Sequence, residues 1–362
     1  VSLPLSQRFW VDSVRRLAPY VPGEQPKIPD LIKLNTNENP FGPSPRVLKA
    51  ISESLDEQLK LYPDPQSTAL RATVADYYRI NVDQVFAGNG SDEVLAFVFR
   101  AFFSPEKPLV YADITYSFYP VYCGLYGLNS HIVPLDDDLA IDVPALLKID
   151  PTTVSGLILP NPNAPTGRLL DLNTIGQLAA HFSNTAVVID EAYIDFGGKS
   201  AVALIDQYPN LLVTQSLSKS RSLAGLRIGL AMGDAGLIEA LHRIKDSFNS
   251  YPLDRLAQAG AKAAFEDEDY FQHCCQQIMT MRDQLSQDLQ SRGFEVVESA
   301  ANFVFARHPE HSGAALAAGL REHKVIVRHF DKPRISEYLR ISIGNAEQNQ
   351  ALLAALDAVM AK

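Results

Sequence analysis

The stretch SLSKSRSLAGLRIG, residues 216–229, joins two apolar runs, LLVTQSL (211–217) and IGLAMG (228–233), and carries one lysine, Lys219, between two serines. Both runs are short, continuous in their apolar residues and rich in Leu, Val and Ile, the pattern of strands covered on both faces. A lysine at a strand end is usually a solvated turn residue, so the rest of the chain has to give this one its meaning. QVFAG (84–88), LVYAD (109–113), SGLILP (155–160) and TAVVID (185–190) repeat the strand pattern. Helix-like stretches such as SDEVLAFVFRAFF and LNTIGQLAAHF separate them. The economical reading is an α/β fold with a mainly parallel sheet and covering helices. In such sheets ligands bind beyond the carboxyl ends of the strands. Asp190 ends TAVVID, Lys219 follows LLVTQSL and GNGSDE (88–93) follows QVFA, so the three are expected on one rim.

At 362 residues the chain exceeds what a single core usually serves, which favours two domains. Beyond residues 250–265 long helical patterns precede FEVVES, ANFVFAR, KVIVRHF and YLRISIG, which read as a smaller α+β unit. The expected division is an N-terminal arm with part of the small domain (1–45), a large domain (46–260) and the remainder of the small domain (261–362). No apolar run reaches bilayer length, which argues against a membrane function. A net charge of −10 repels nucleic acid and leaves any phosphate site to be built locally. The first residues, VSLPLSQRFWVDSVRR, lack the pattern of a secretory leader, and three cysteines make a poor disulfide framework. Both point to the cytoplasm.

An aspartate, a lysine and an anion-binding turn on one rim suit pyridoxal phosphate, where a lysine forms a Schiff base and an acidic group faces the pyridine nitrogen. Asp190 would favour the protonated nitrogen, and Lys219, once displaced by a substrate amine, would carry protons as general acid and base. GNGSDE fails as a dinucleotide fingerprint, because Glu93 stands where a third glycine belongs. As the opening of a helix it offers the Ser91 and Asp92 backbone N–H groups to a phosphate, provided that the side chains of Asp92 and Glu93 point away. Ser216, Ser218 and Arg227 could supply the remaining donors. SLSK also matches S-x-x-K of the serine β-lactamases and penicillin-binding proteins, but the companion S-D-N and K-T-G motifs are missing. His273, Cys274 and Cys275 point different ways around a helix and have no second ligand pair nearby, so no metal site is expected. Alternation in YLRISIG puts Arg340 on the polar face of a strand, toward either solvent or a cleft.

In order and spacing, GNGSDE, NPNAPTG (161–167), DEAYIDF (190–196), SLSKSRSLAGLRIG and LRISIG (339–344) resemble the pyridoxal phosphate aminotransferases of fold type I. LNTNENPFG (34–42), LYPDPQ (61–66), DEAYIDF and SLAGLRIG narrow the resemblance to the histidinol-phosphate aminotransferases, from about Leu17 to the C-terminus. The resemblance implies that Lys219 is the Schiff-base lysine and Asp190 the partner of the pyridine nitrogen. It further implies that Tyr193 bonds the ring hydroxyl and that Tyr116 stacks on the ring. Ser91, Asp92, Ser216, Ser218 and Arg227 would hold the phosphate, and Tyr62 would reach the phosphate of a neighbouring subunit in a homodimer. Arg328 and Arg340 would bind the substrate's anionic group, with Tyr20 and Glu38 near its other end.

Three positions depart from the pattern. Ala164 stands where the family usually has an asparagine to bond the ring hydroxyl, so either Asn163 or Asn161 takes over or Tyr193 acts with less help. Ile114-Thr115-Tyr116 replaces Pro-Thr-Tyr, and Arg221 replaces an aromatic residue two positions after the lysine. The implied reaction moves an amino group from L-histidinol phosphate to 2-oxoglutarate in histidine biosynthesis. Threonine-phosphate decarboxylation and aromatic amino-acid transamination are its rivals on the same fold. An effector-binding regulatory module would need an attached DNA-binding domain, for which the stretch before residue 17 is too short.

Overall fold

A computed structural model describes residues 8–361. Its twelve strands are β1 (Ile32–Leu34), β2 (Val85–Asn89), β3 (Leu109–Ala112), β4 (Ser130–Val133), β5 (Gly156–Pro160), β6 (Ala186–Asp190), β7 (Leu211–Ser216), β8 (Ile228–Gly233), β9 (Glu295–Val297), β10 (Phe303–Arg307), β11 (Val325–His329) and β12 (Tyr338–Ser342). They form two sheets. The larger has seven strands in the order β2-β8-β7-β6-β5-β3-β4. Only β8 runs against its neighbours β7 and β2, so the sheet is mainly parallel. The six apolar runs read from the sequence coincide with its strands to within a residue or two. The seventh, β4, is a polar edge strand, SHIV, with three exposed residues, and carries little of the apolar signal that marks the others.

Alternate residues of each central strand enter different cores. Val187 and Ile189 join one apolar cluster with Leu157, Leu159 and Val213, whereas Val188 joins another with Ile158, Leu212 and Phe99. A strand whose two faces are both buried has to be apolar at every position, which explains the continuous runs. Helices cover both faces, and many begin at a side-chain cap, among them Leu172–His181 on Asp171 and Arg255–Glu266 on Asp254.

The smaller sheet has the order β1-β11-β12-β10-β9, with β1 parallel to β11 and the other pairs antiparallel. Strand β1 thus ties residues 32–34 to the C-terminal third of the chain. The helices Glu268–Gln290 and Ala346–Met360 close its core through Phe271, Cys275, Ile278, Leu352 and Leu356. Cys274 and Cys275 are buried in the first of these helices. We propose that the two sheets are the nuclei of two domains, 46–260 and 261–362, and that the described part of the arm before residue 46 reaches the second through β1. Among the described residues no helix is long and apolar enough to cross a membrane.

Candidate active site

The parallel strands of the large sheet end on one rim: β5 at Pro160, β6 at Asp190 and β7 at Ser216. Strand β8, being antiparallel, starts from that rim, so the residue before it, Arg227, lies there too. A cavity of about 450 Å³ opens above, lined by Lys219, Asp190, Tyr193, Tyr116 and Arg227 from the large-sheet side and by Arg328, Phe330 and Arg340 from the small sheet. Tyr20, Glu38, Ser91, Asp92, Ser216 and Ser218 line it as well. The sequence therefore scattered over more than 300 positions what the two sheets bring together.

Lys219 is half-buried in the cavity wall, and its Nζ donates to the Thr36 carbonyl at 2.9 Å. Burial first, and then the positive Arg340 nearby, together lower its pKa to about 8. Asp190 is buried at the end of β6 and accepts hydrogen bonds from Tyr119 Oη at 3.1 Å and Thr214 Oγ1 at 3.3 Å. Burial pushes its pKa up to about 6, against the lowering effect of those two donors. The carboxylate is thus dry and pinned. Neither Tyr119 nor Thr214 was singled out from the sequence, although Thr214 could have been found from the parallel pairing of β6 with β7, which sets it beside Asp190.

At the turn from β2 into the helix Gly90–Phe102, Gly90 takes a φ of 78°. A Cβ there would come within 2.5 Å of Arg227 Nη2, and one at Gly229 would meet Gly90 C at 2.4 Å. Only glycines let β8 and its arginine lie against the helix opening. Ser216 Oγ accepts from the Ser218 N–H at 3.2 Å, whereas the buried Ser218 Oγ has no hydrogen-bond partner. The side chain of Asp92 does not point away as expected. Its carboxylate takes Arg227 Nη2 and Tyr116 Oη, each at 3.0 Å, because these are the nearest donors to an acid on the first turn of the helix. Glu93 turns back to the Asn89 N–H at 2.7 Å.

The N-terminal arm supplies partners that sequence reading left unused. Asn39 Nδ2 donates to the carbonyls of Lys219 and Ser220, holding the lysine loop. Asn37 Nδ2 donates to Tyr193 Oη at 3.0 Å, and Ser342 Oγ bonds both the N–H and the side-chain oxygen of Asn37. Glu38 is bonded by Lys33 Nζ at 2.7 Å and by Thr36 Oγ1 at 2.9 Å, and its pKa is lowered because these partners outweigh burial. The motif LNTNENPFG held the signal for both asparagines.

Asn163 lies apart from the other candidate cofactor contacts, with its side-chain oxygen unpartnered. It is fully buried outside the cavity lining, and its amide donates to the Ile114 carbonyl and to Thr166 Oγ1. Asn161 is likewise used within the loop, pairing with both the N–H and the carbonyl of Leu170. Tyr62 is 80% exposed, stacks on Tyr251 with centroids 4.7 Å apart and does not line the cavity of its own chain. Arg221 is buried with its guanidinium 4.0 Å from the ring centre of Phe265 and 3.9 Å from that of Phe271. It therefore fills an aromatic position with a flat, stackable group.

Arg328 and Arg340 are direct cross-strand partners in the β11–β12 register. Like charges set opposite one another are unfavourable in a sheet. Burial lowers the pKa of Arg340, whose Nη2 donates to the Asn35 carbonyl at 3.0 Å while its buried Nε has no partner. Two guanidiniums facing one cavity with unspent donors have the chemistry to pair with an anion.

The profile of the family Aminotransferase class I and II matches residues 29–356. Histidinol-phosphate aminotransferase 1 of Pseudomonas fluorescens is 59% identical over 349 residues, covering 96% of this chain and 99% of its own. A crystal structure of histidinol-phosphate aminotransferase from Sinorhizobium meliloti in complex with pyridoxal-5'-phosphate superposes with a TM-score of 0.83 at 25% identity, covering 91% of this chain and 90% of that one. At 23% identity, L-threonine-O-3-phosphate decarboxylase from Porphyromonas gingivalis shares the fold with a TM-score of 0.79, over 91% of this chain and 99% of that one. Fold and site together define a pyridoxal phosphate-dependent aminotransferase. Within the class I and II aminotransferases, the chain belongs to the histidinol-phosphate aminotransferases.

The residues present fit pyridoxal phosphate. The unpartnered Ser218 Oγ and the glycine-lined helix opening suit its phosphate, the dry Asp190 carboxylate suits a cationic ring nitrogen, and the Lys219 amine suits its aldehyde.

Proposed function

We propose that the protein transfers the amino group of L-histidinol phosphate to 2-oxoglutarate, giving 3-(imidazol-4-yl)-2-oxopropyl phosphate and L-glutamate, in cytoplasmic histidine biosynthesis. The observation that carries this reading is one cavity holding a lysine amine with a pKa lowered to about 8 and two opposed guanidiniums. The name and 59% identity of the Pseudomonas relative support it.

Bound pyridoxal phosphate supplies an aldehyde for the substrate amine and a ring that draws electrons from the carbon bearing that amine. The chain's own groups do the rest. With its pKa at about 8, Lys219 Nζ is partly neutral near pH 7, so it can attack a carbonyl carbon and later take or give a proton at the substrate carbon. Asp190, ionised above about pH 6, holds negative charge against the ring nitrogen. Tyr119 and Thr214 keep its oxygens in place. Asn37 donates to Tyr193 Oη, which leaves the phenol's own hydrogen free to donate to the ring oxygen. This arrangement replaces the asparagine missing at Ala164. Tyr116 would pack over the ring, and Arg227, Ser216, Ser218 and the Ser91 and Asp92 N–H groups would hold the phosphate. Arg340, with Arg328, takes the substrate's phosphate in one half-reaction and a carboxylate in the other, since a planar guanidinium pairs with either. Tyr20 and Glu38 face the substrate's imidazole end.

Assays with histidinol phosphate, threonine phosphate and phenylalanine side by side test the substrate. Release of carbon dioxide from threonine phosphate, with histidinol phosphate untouched, would replace this reading by the decarboxylase. The active unit is a homodimer in which Tyr62 serves the partner's site, supported by its exposure and by the exposed Leu59, Leu61 and Phe248. Mixing inactive Lys219→Ala and Tyr62→Ala subunits then restores activity, up to about a quarter of the sites. If Tyr62 acts within its own chain, mixing restores nothing.

A further inference from the structure

The loop between β11 and β12, residues 330–337, follows Arg328 and precedes Arg340. It leaves the small sheet and crosses to the large one. Ile335 is 1% exposed and belongs to the apolar cluster beneath the large sheet. Beside it, Arg334 adopts a φ of 68°, a left-handed conformation that a residue with a Cβ holds only when its surroundings enforce it. Its guanidinium makes three hydrogen bonds, all to the large-sheet side: Nη1 to Asp113 Oδ2 at 3.0 Å, and Nη2 to the carbonyls of Leu135 at 3.0 Å and Asp136 at 2.7 Å. Asp113 ends the run of β3, and its other oxygen takes the N–H groups of Ile114 and Leu135. The next residues, Thr115, Tyr116 and Ser117, line the cavity. On the other side Phe330, at the start of the loop, lies 5.5 Å from the Arg328 guanidinium and 5.6 Å from that of Arg340.

We propose that Arg334 is a positioning residue, which sets the distance between the wall carrying Tyr116 and the wall carrying Arg328 and Arg340. The proposal rests on the reading of those two arginines as the substrate's anion site. One guanidinium bonded to a carboxylate and two carbonyls has a single geometry, whereas a lysine could satisfy only part of it. With Arg334 in place the two walls stand at the spacing that binds an anionic substrate between them. Without it, that spacing becomes a minor state and apparent affinity falls by the fraction lost, while saturating substrate still selects it.

The test uses holoenzyme of wild type, Arg334→Ala, Arg334→Lys and Asp113→Asn, with steady-state kinetics on histidinol phosphate and single-turnover kinetics on glutamate. Arg334→Ala is expected to raise KM for both substrates roughly 10- to 100-fold while kcat stays within about threefold. Arg334→Lys should fall between the two, and cofactor affinity should not change. Hydrogen exchange should quicken in residues 113–118 and 330–338 of the Arg334→Ala protein, with or without cofactor. Asp113→Asn keeps the oxygen that serves Ile114 and Leu135 but weakens the contact with Arg334, so it gives the same KM shift in smaller measure even if Arg334→Ala fails to fold. An unchanged KM in folded variants overturns the proposal. So does a loss confined to thermal stability and cofactor binding, which would make Arg334 a structural tie only. A wild type that ignores histidinol phosphate would instead refute the substrate reading, and the glutamate half-reaction would still report on Arg334.

Discussion

The wall that the large sheet presents to the cavity is made of strand ends, backbone N–H groups and a buried carboxylate held by hydrogen bonds from Tyr119 and Thr214. The facing wall from the small sheet is made of two arginines opposed across an antiparallel register, on a unit tied to the first by loops and an arm. The first wall is suited to a group that stays, and the second to anions that come and go. Preorganised donors in a dry site need no rearrangement when their ligand binds. Long guanidinium side chains can meet a phosphate and then a carboxylate. Damage to the first wall should therefore abolish chemistry for every substrate, whereas damage to the second should act through anion binding and, at Arg328, discriminate among substrates.

The sharpest blow to the first wall is Lys219→Ala. Turnover should fall by at least roughly 10⁴-fold, because attack on the aldehyde and proton transfer at the substrate carbon are lost together. Borohydride reduction followed by peptide mapping should find the cofactor on Lys219 in the wild type and nowhere in the variant. A folded Lys219→Ala protein with near wild-type transamination would overturn the assignment. Asp190→Ala should be gentler on binding and nearly as hard on rate, about 10²–10⁴-fold. Much of the cofactor should remain, since its attachment and phosphate contacts are elsewhere. Unchanged turnover would remove Asp190 from the mechanism.

For the second wall, Arg340→Ala should impair both half-reactions by roughly 30- to several-thousand-fold, the effect of losing one partner of a buried charged contact. Arg328→Ala should impair histidinol phosphate more than glutamate, because the dianion makes more use of a second guanidinium. Single-turnover measurements separate the two half-reactions. Equal losses on both substrates in the Arg328 variant would erase the contrast drawn between the walls.

The same contrast governs what could be read from the sequence. The rim was legible because a parallel sheet gathers strand ends, and a strand buried on both faces announces itself as an apolar run. Asp190, Lys219 and Gly90 each stand just at or beyond such a run. Arg340 showed its strand face but not what that face looks upon, because the cavity exists only once β12 is set against the large sheet. The asparagines at 161 and 163 were ambiguous for a related reason. Loop amides are as apt to satisfy their own backbone as to meet a ligand, and NPNAPTG alone does not separate the two. Arg334 gave no signal at all, lying in a loop whose path across to the large sheet is written in no periodicity.

The smallest predicted effect ties the two walls together. Lys219 carries a pKa of about 8 where its ordinary value is 10.5, first because it is buried and next because Arg340 stands near. Only the neutral amine attacks an aldehyde, so the rate at which cofactor-free protein captures pyridoxal phosphate should rise about tenfold per pH unit below 8 and level off above it. Removing the positive charge in Arg340→Ala lets Lys219 hold its proton longer, which moves the midpoint to higher pH by no more than about one unit. Stability follows the same sign. Between about pH 8 and 10.5 the unfolded chain binds this proton and the folded chain does not, so the contribution of Lys219 to stability grows as pH rises through that window and is least below it. Stopped-flow absorbance of cofactor capture across pH 6 to 10 would read the midpoint in both proteins. An identical midpoint in Arg340→Ala would mean that the arginine's charge does not reach the lysine and that the two walls act independently on it.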